Sequence, residues 1–276
     1  MWHVFADSRT AEDLQLPRPE LAVRADGRRA PETVLIAASP DLRAYVAELG
    51  ERAERVRSGS VPPEEDNMLL ISTDGRKAAL DMRLVSGRPA PGSSKLDIAA
   101  DRITQVLARA PRPHLQRPRR ADIRDAGGAA DRLLRPVHPP PDRAGTPTAS
   151  CAVSSPPAAS PAEQIRWIHE ARNDAEKARL FAACRSGQVA VIIGSTQKMG
   201  VGTNIQHRAI AVHHLDCPWR PADIEQREGR ALRQGNQNPE IAIYRYAVEG
   251  SFDSYSWQNR RAQSPVHQSG HARTNR

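Results

Sequence analysis

Between residues 105 and 162 the chain carries 11 of its 23 prolines and contains no Lys, Glu, Met, Asn or aromatic residue. Proline fixes φ and removes a backbone donor every few residues, so this stretch is expected to build neither a strand nor a long helix. A structureless run of 58 residues inside a compact domain is expected to be disordered. The stretch therefore divides the 276-residue chain, and folding has to come from the segments on either side. At ordinary domain sizes that leaves one domain, or one domain with long unstructured stretches.

The same stretch explains the charge. Its nine arginines against four aspartates give +5, and four arginines without an acid in residues 259–276 give +4, so the rest of a chain with net charge +8 stands at −1. The basicity belongs to a linker and a tail, a weaker argument for a nucleic-acid site than a basic face on a folded surface. Arginine outnumbers lysine 36 to 4, as GC-rich codons would produce. No apolar run approaches the ~18 residues of a membrane span, and the N-terminus has no basic stretch leading to an apolar core. The expectation is a soluble, cytoplasmic chain without membrane contact. Cys151, Cys184 and Cys217 are odd in number and lack ligand spacing, so free thiols and no metal site are expected.

Residues 1–93 read as an ordered helical accessory region. Helical periodicity covers 41–57 after Pro40, and 66–85 with a turn signal at Asp74-Gly75. A further helix spans 94–107, with Ser94 as its cap. From 163 to 258 apolar runs alternate with polar helices. Strands are expected at 164–170, 188–193, 209–215 and 241–248, and helices at 173–183, 221–233 and from 251 onward. That alternation predicts an α/β fold with a mostly parallel sheet, whose ligands collect at the carboxyl ends of the strands.

Two segments carry chemistry. After the strand at 188–193, Gly200 and Gly202 permit close backbone approach, while Ser195, Thr196, Thr203 and Asn204 offer hydroxyl and amide partners for phosphate or ribose oxygens. An ordinary strand-to-helix turn uses the same residues, and both readings stand. In the expected helix after Pro221, Gln226, Arg230 and Arg233 fall on one face at spacings of four and three. Two guanidinium forks and an amide together suit a polyphosphate; the alternative is a solvated face on which Glu228 pairs with the arginines.

In order and at this spacing, the segments resemble the second RecA-like lobe of helicase superfamily two, nearest the Swi/Snf-type DNA translocases. Ser195 to Asn204 follows the pattern Ser-Thr-x-x-x-Gly-x-Gly-x-Asn of motif V. Asp216, Trp219 and Pro221 follow the strand-closing Asp and the Trp-x-Pro element. Gln226, Arg230, Arg233 and Gly235 follow motif VI, with Asn236 where that motif has Gln. Ser94-Lys95-Leu96 resembles the start of the lobe. The run from His213 to Asp223 resembles large bacterial or phage helicases often joined to adenine-N6 DNA methylases.

The resemblance implies half of a two-lobed motor. Arg230 and Arg233 would act as arginine fingers on ATP with Mg, bound mainly by a first lobe, with Gln226 beside them. Gly202 and Asn204 would lie near the ribose; Ser195, Thr196, Lys198, Gly200 and Thr203 would face the nucleic-acid backbone, DNA with RNA not excluded. A DNA methylase is a further expected partner.

A phosphate loop ends in Gly-Lys-Ser/Thr, but Lys77, Lys95, Lys177 and Lys198 follow Arg, Ser, Glu and Gln. The expectation is therefore a C-terminal lobe over 94–258, interrupted by disordered 105–162 and followed by a disordered basic tail at 259–276, inactive until a first lobe is supplied in trans or on an intact parent. A strand of the lobe is expected where the proline-rich stretch stands, which fits a shifted reading frame there and in the tail, with a genuine disordered insertion as the rival reading. The alternatives are a nonenzymatic basic nucleic-acid-binding module and a degenerate, inactive remnant.

Overall fold

The computed structural model describes residues 17–86, 94–110, 150–154, 164–195 and 205–263. Among them, seven strands form one sheet: β1 (Glu20–Leu21), β2 (Glu32–Ile36), β3 (Ser150–Ser154), β4 (Ile165–Trp167), β5 (Val191–Gly194), β6 (Ala209–His214) and β7 (Glu240–Val248). Their order is β1-β7-β6-β3-β5-β4, with β2 also on β7. Four strand pairings are parallel; the two antiparallel ones both belong to β3. The fold is the expected mostly parallel α/β. Every residue of β5 is buried, and so is all of β6 except the half-buried Ile210, as short apolar strands covered on both faces require.

The helices are α1 (Pro40–Arg57), α2 (Met68–Leu80), α3 (Arg83–Ser86), α4 (Lys95–Arg109), α5 (Asp174–Ser186), α6 (Pro221–Ala231) and α7 (Phe252–Gln263). Side chains set most of their starts. Ser39 accepts from Leu42 N, with Pro40 opening α1, and Ser94 and Asp97 form a reciprocal capping box on α4, satisfying amides that no helical turn can reach. The principal core runs from Leu42 of α1 through Ala78, Leu80, Leu96 and Ile103 to Val191, Ala211 and Tyr246 of the sheet. A smaller one sets Leu180 and Phe181 of α5 against Ile168, Val189 and Ile192.

Four expectations are corrected. The region before residue 94 is helical where predicted but also supplies strands: β2 pairs with β7 from Glu32↔Tyr244 to Ile36↔Val248, because an uncovered β7 would leave a row of unpaired backbone groups. Helix α2 runs through Asp74-Gly75 without a turn. A Cβ on Gly75 would stand 3.4 Å from Leu49 Cδ1 and 3.6 Å from Phe252 Cδ2, so this glycine serves close helix packing. The apolar first turn of α2, Met68 to Leu70, faces outward, while Ile71, Ala78, Ala79 and Leu80 are buried.

The proline-rich stretch does contribute a strand. β3 lies in the proline-free gap between Pro147 and Pro156 and occupies the middle of the sheet between β5 and β6, where it pairs backbone groups that those strands would otherwise leave unmatched. It fills the place expected for a missing strand, in the opposite direction to its neighbours. The predicted disorder fails at both helix ends as well. Helix α4 continues to Arg109, and Ala110 turns extended (φ −58°, ψ 134°), as the residue before Pro111 must. Helix α7 reaches Gln263, beyond the expected boundary at 258. Residues 111–149 and 155–163, and the tail from 264, lie outside the described residues.

Candidate functional site

Helix α6 starts at Pro221, whose fixed φ suits a first helical turn, and runs back alongside β6, with Ala231 packed against Val212, Ile241 and Ile243 partway along the strands. It ends at Ala231 with Leu232 as its cap (φ −79°, ψ 41°). The predicted helix to 233 is two residues too long. Arg233 lies beyond the helix, and the shared-face geometry holds only for Gln226 and Arg230. Gln226 and Arg233 are exposed, and Arg230 is half-buried. Arg233 still acts on Arg230: burial, and then the charge of Arg233, lowers the Arg230 guanidinium below its ordinary pKa.

The chain after the helix is pinned to the start of β6. Gly235 takes a left-handed φ of 85°, and its carbonyl lies 2.9 Å from His207 Nδ1. Gln237 N donates to His207 O at 2.8 Å. Asn236 Nδ2 and Asn238 Nδ2 both donate to Ala209 O, at 3.0 and 3.1 Å. Asn236, the departure from the motif, thus holds the turn against the amino end of β6. The loop after Arg233 thus closes on the amino edge of the sheet.

Ser195 is at the opposite edge, buried after the last residue of β5. The chain leaves β5 there and returns at Ile205 beside the amino end of β6, a strand length of about 13 to 20 Å away. The structure does not bring Ser195 together with the arginines. Thr196, Lys198, Gly200, Gly202, Thr203 and Asn204 lie outside the described residues.

Sequence reasoning missed the buried charges around this helix. Arg227 Nη1 lies 3.1 Å from Asp216 Oδ1, while Arg76 Nη2 of α2 reaches Asp216 Oδ2 at 3.2 Å and Cys217 O at 2.7 Å. The Arg76 guanidinium also sits 4.9 Å over the exposed Trp219 ring. Glu228 does not pair with the helix arginines as the solvated-face alternative required. It turns inward, its Oε1 2.6 Å from Arg245 Nη2 on β7 and 3.2 Å from His214 Nε2 on β6. Burial pushes the Glu228 carboxyl up, but His214 and Arg245 outweigh it and leave it below its ordinary value.

Next to it, His213 Nδ1 is 2.8 Å from Tyr246 Oη, and the ring stacks on Tyr244 at 4.8 Å. Burial lowers His213 to about 3, aided by the charges of His214 and Arg102; burial likewise lowers His214, against the pull of Glu228. A further buried pair, Lys95 with Asp253, ties the first turn of α4 to α7. Two signals were available: Arg227 and Glu228 flank the inward stripe of Ile224 and Ala231, and His213-His214 ends an otherwise apolar strand.

Residues 158–235 match the helicase conserved C-terminal domain family, and the mixed α/β layer with its mostly parallel strands is compatible with such a domain. The match ends at Gly235, just beyond both arginines. The chain is also similar to Defense against restriction protein B of Escherichia phage P1, 36% identical over 77 residues, which are 28% of this chain and 3% of the phage protein. It thus spans a small part of the length of the relative it matches. Among the described residues, no helix is long and apolar enough to cross a membrane.

Proposed function

We propose that this chain acts as the C-terminal lobe of a nucleic-acid-dependent ATPase of the helicase type. One observation carries the reading: Arg230 and Arg233 stand close enough at the end of α6 for the charge of Arg233, after burial, to lower the Arg230 guanidinium, while the carboxylate next to them in sequence, Glu228, is turned inward onto Arg245. Such a pair gains most from a shared polyanion. Arg230 and Arg233 would stabilise the charge on the terminal phosphate of ATP as it is transferred, with Gln226 bordering the site. ATP with Mg would be held mainly by a first lobe, since this sequence contains no phosphate loop. The segment 195–204 would contact the DNA backbone through Ser195, Thr196, Lys198, Gly200 and Thr203, with Gly202 and Asn204 toward the ribose. The run from His213 to Asp223 supports a Swi/Snf-type parent that also carries an adenine-N6 DNA methylase.

A second reading, an inactive remnant, draws on β3, the only strand among those described that runs against the parallel sheet, and in its centre. The two readings differ in an ATP turnover assay. The purified chain alone should not hydrolyse ATP, and turnover should appear when a first lobe is added and vanish in Arg230→Ala and Arg233→Ala. Turnover by the chain alone would overturn the half-site. DNA binding that survives Arg233→Ala and falls steeply with salt would instead favour a basic binding module acting through linker and tail.

A further inference from the structure

We infer that Arg227 and Glu228 are the positioning residues of the arginine helix, a pair of ionic anchors that fixes its rotation about its own axis. The inference rests on the proposed function for what the helix presents; the anchoring itself does not.

Helix α6 has little else to fix its rotation. Its buried apolar residues are Ile224 and Ala231, seven positions apart, which define a line along the helix more than a surface. A helix held only along such a line can roll, and rolling would carry Gln226 and Arg230 toward or away from the ligand. Adjacent residues project about 100° apart, so Arg227 and Glu228 stand on either side of that apolar line, one about 60° to one side and the other about 40° to the other.

Each anchor ends on a different part of the fold. Arg227 is held by Asp216 in the segment after β6, and Asp216 is held in turn by Arg76 of α2. Glu228 is held by His214 of β6 and Arg245 of β7. Arg245 is backed by the Trp257 ring of α7, 5.3 Å from its guanidinium, and Trp257 Nε1 donates to Tyr246 O at 3.2 Å. A roll in either direction pulls one anchor off its partner. Buried ion pairs add little net stability compared with apolar residues of the same volume, but they restrict the arrangements a helix can adopt. The region before residue 94 thereby takes part in aiming the arginines, through Arg76.

The test uses the full chain with two nitroxide labels introduced as unnatural amino acids, at the exposed Glu225 of α6 and the exposed Glu51 of α1, and reads their distance distribution by pulsed electron resonance. Tripolyphosphate affinity is measured alongside. The wild type should give one narrow distribution. Glu228→Gln and Arg245→Gln should broaden or shift it and weaken tripolyphosphate binding about tenfold, whereas Arg245→Lys should restore both. Arg230→Ala should lose tripolyphosphate binding with the distance unchanged. If Glu228→Gln fails to fold, Arg227→Gln and Glu228→Asp are read in the same way. An unchanged distribution in the Glu228, Arg227 and Arg245→Gln variants overturns the anchoring. Tripolyphosphate binding unaffected by Arg230→Ala overturns the functional reading and leaves the distance result standing.

Discussion

Arg227 and Arg230 are one helical turn apart, yet they sit in opposite electrostatic environments. Arg227 is buried on Asp216, which also receives Arg76, and near that edge Lys95 is buried on Asp253. Arg230 has the like charge of Arg233 as a neighbour and a guanidinium depressed first by burial and then by that charge. At the carboxyl edge, cations are balanced by carboxylates of the fold, and such charge is structural. Under the proposed function, Arg230 and Arg233 instead meet an anion supplied from outside. Residue type alone does not assign a role to an arginine in this helix; its angular position on the helix and the carboxylates within reach do.

The largest effect expected from this contrast lies at Arg230. With a first lobe supplied, Arg230→Ala should lower ATP turnover at least ~10³-fold, the scale on which an arginine at a transferring phosphoryl group operates. Its melting temperature should stay near that of the wild type. A tenfold loss or less would place Arg230 outside the reacting charge.

The carboxyl edge should answer in stability instead. Asp216→Asn removes the charge that two buried guanidinium groups share, and leaving a buried ion without its partner costs about 3 to 5 kcal/mol. Urea denaturation should show the loss in the midpoint. A cost below about 1 kcal/mol would mean that water reaches this cluster and that the surroundings of Arg227 and Arg230 are less different than their geometry implies.

Sequence pattern made the parallel α/β layer legible because its strands are short apolar runs and its helices carry their own punctuation: Pro221 opens α6, Ser94 caps α4, and Gly187 closes α5 at a φ of 85°. The arginine pair was legible from spacing, although the helix end at Ala231 was not, since Leu232 and Arg233 carry no stop signal of their own. Long-range pairing was hidden. Nothing local marks Arg76 as the partner of Asp216, 140 residues away, or Glu32–Ile36 as a strand beside β7. Gly75 reads as a turn until the neighbours of its missing Cβ are known. Ser150 to Ser154 reads as part of a proline-rich linker until the unpaired edges of β5 and β6 are considered.

A third test moves to the buried histidines behind Glu228. Burial lowers both His213 and His214 in the folded chain, so as the pH drops below about 6.5 the unfolded chain binds protons that the folded one does not. By linkage, their contribution is complete above the ordinary histidine pKa and is lost as the pH falls toward about 3 for His213. Between pH 7.5 and 5 the loss should be about 2 kcal/mol for His213, at 1.36 kcal/mol per pH unit, with His214 adding in the same direction. His213→Phe should flatten this dependence in urea melts, with a separate, pH-independent cost from the Tyr246 hydroxyl that loses its partner. A dependence equal to that of the wild type would show that His213 is not the titrating group.

The smallest effect is expected where an arginine does nothing for the fold. Arg233 is exposed and lies past the helix end, so Arg233→Ala should change stability by no more than ~0.5 kcal/mol, the range of ordinary surface substitutions. Removing its charge also relieves Arg230, so the small change should favour the variant at low salt and fade as screening shortens the reach of the repulsion. Tripolyphosphate reverses the order. A ligand that binds only the folded chain raises its stability by RT ln(1 + [L]/Kd), so the wild type should gain more than Arg233→Ala at the same ligand concentration. Melting curves with and without tripolyphosphate, at two salt concentrations, separate these contributions. Equal stabilisation of the two proteins would mean that Arg233 is a surface charge like any other, and that the contrast with Arg227 rests on Arg230 alone.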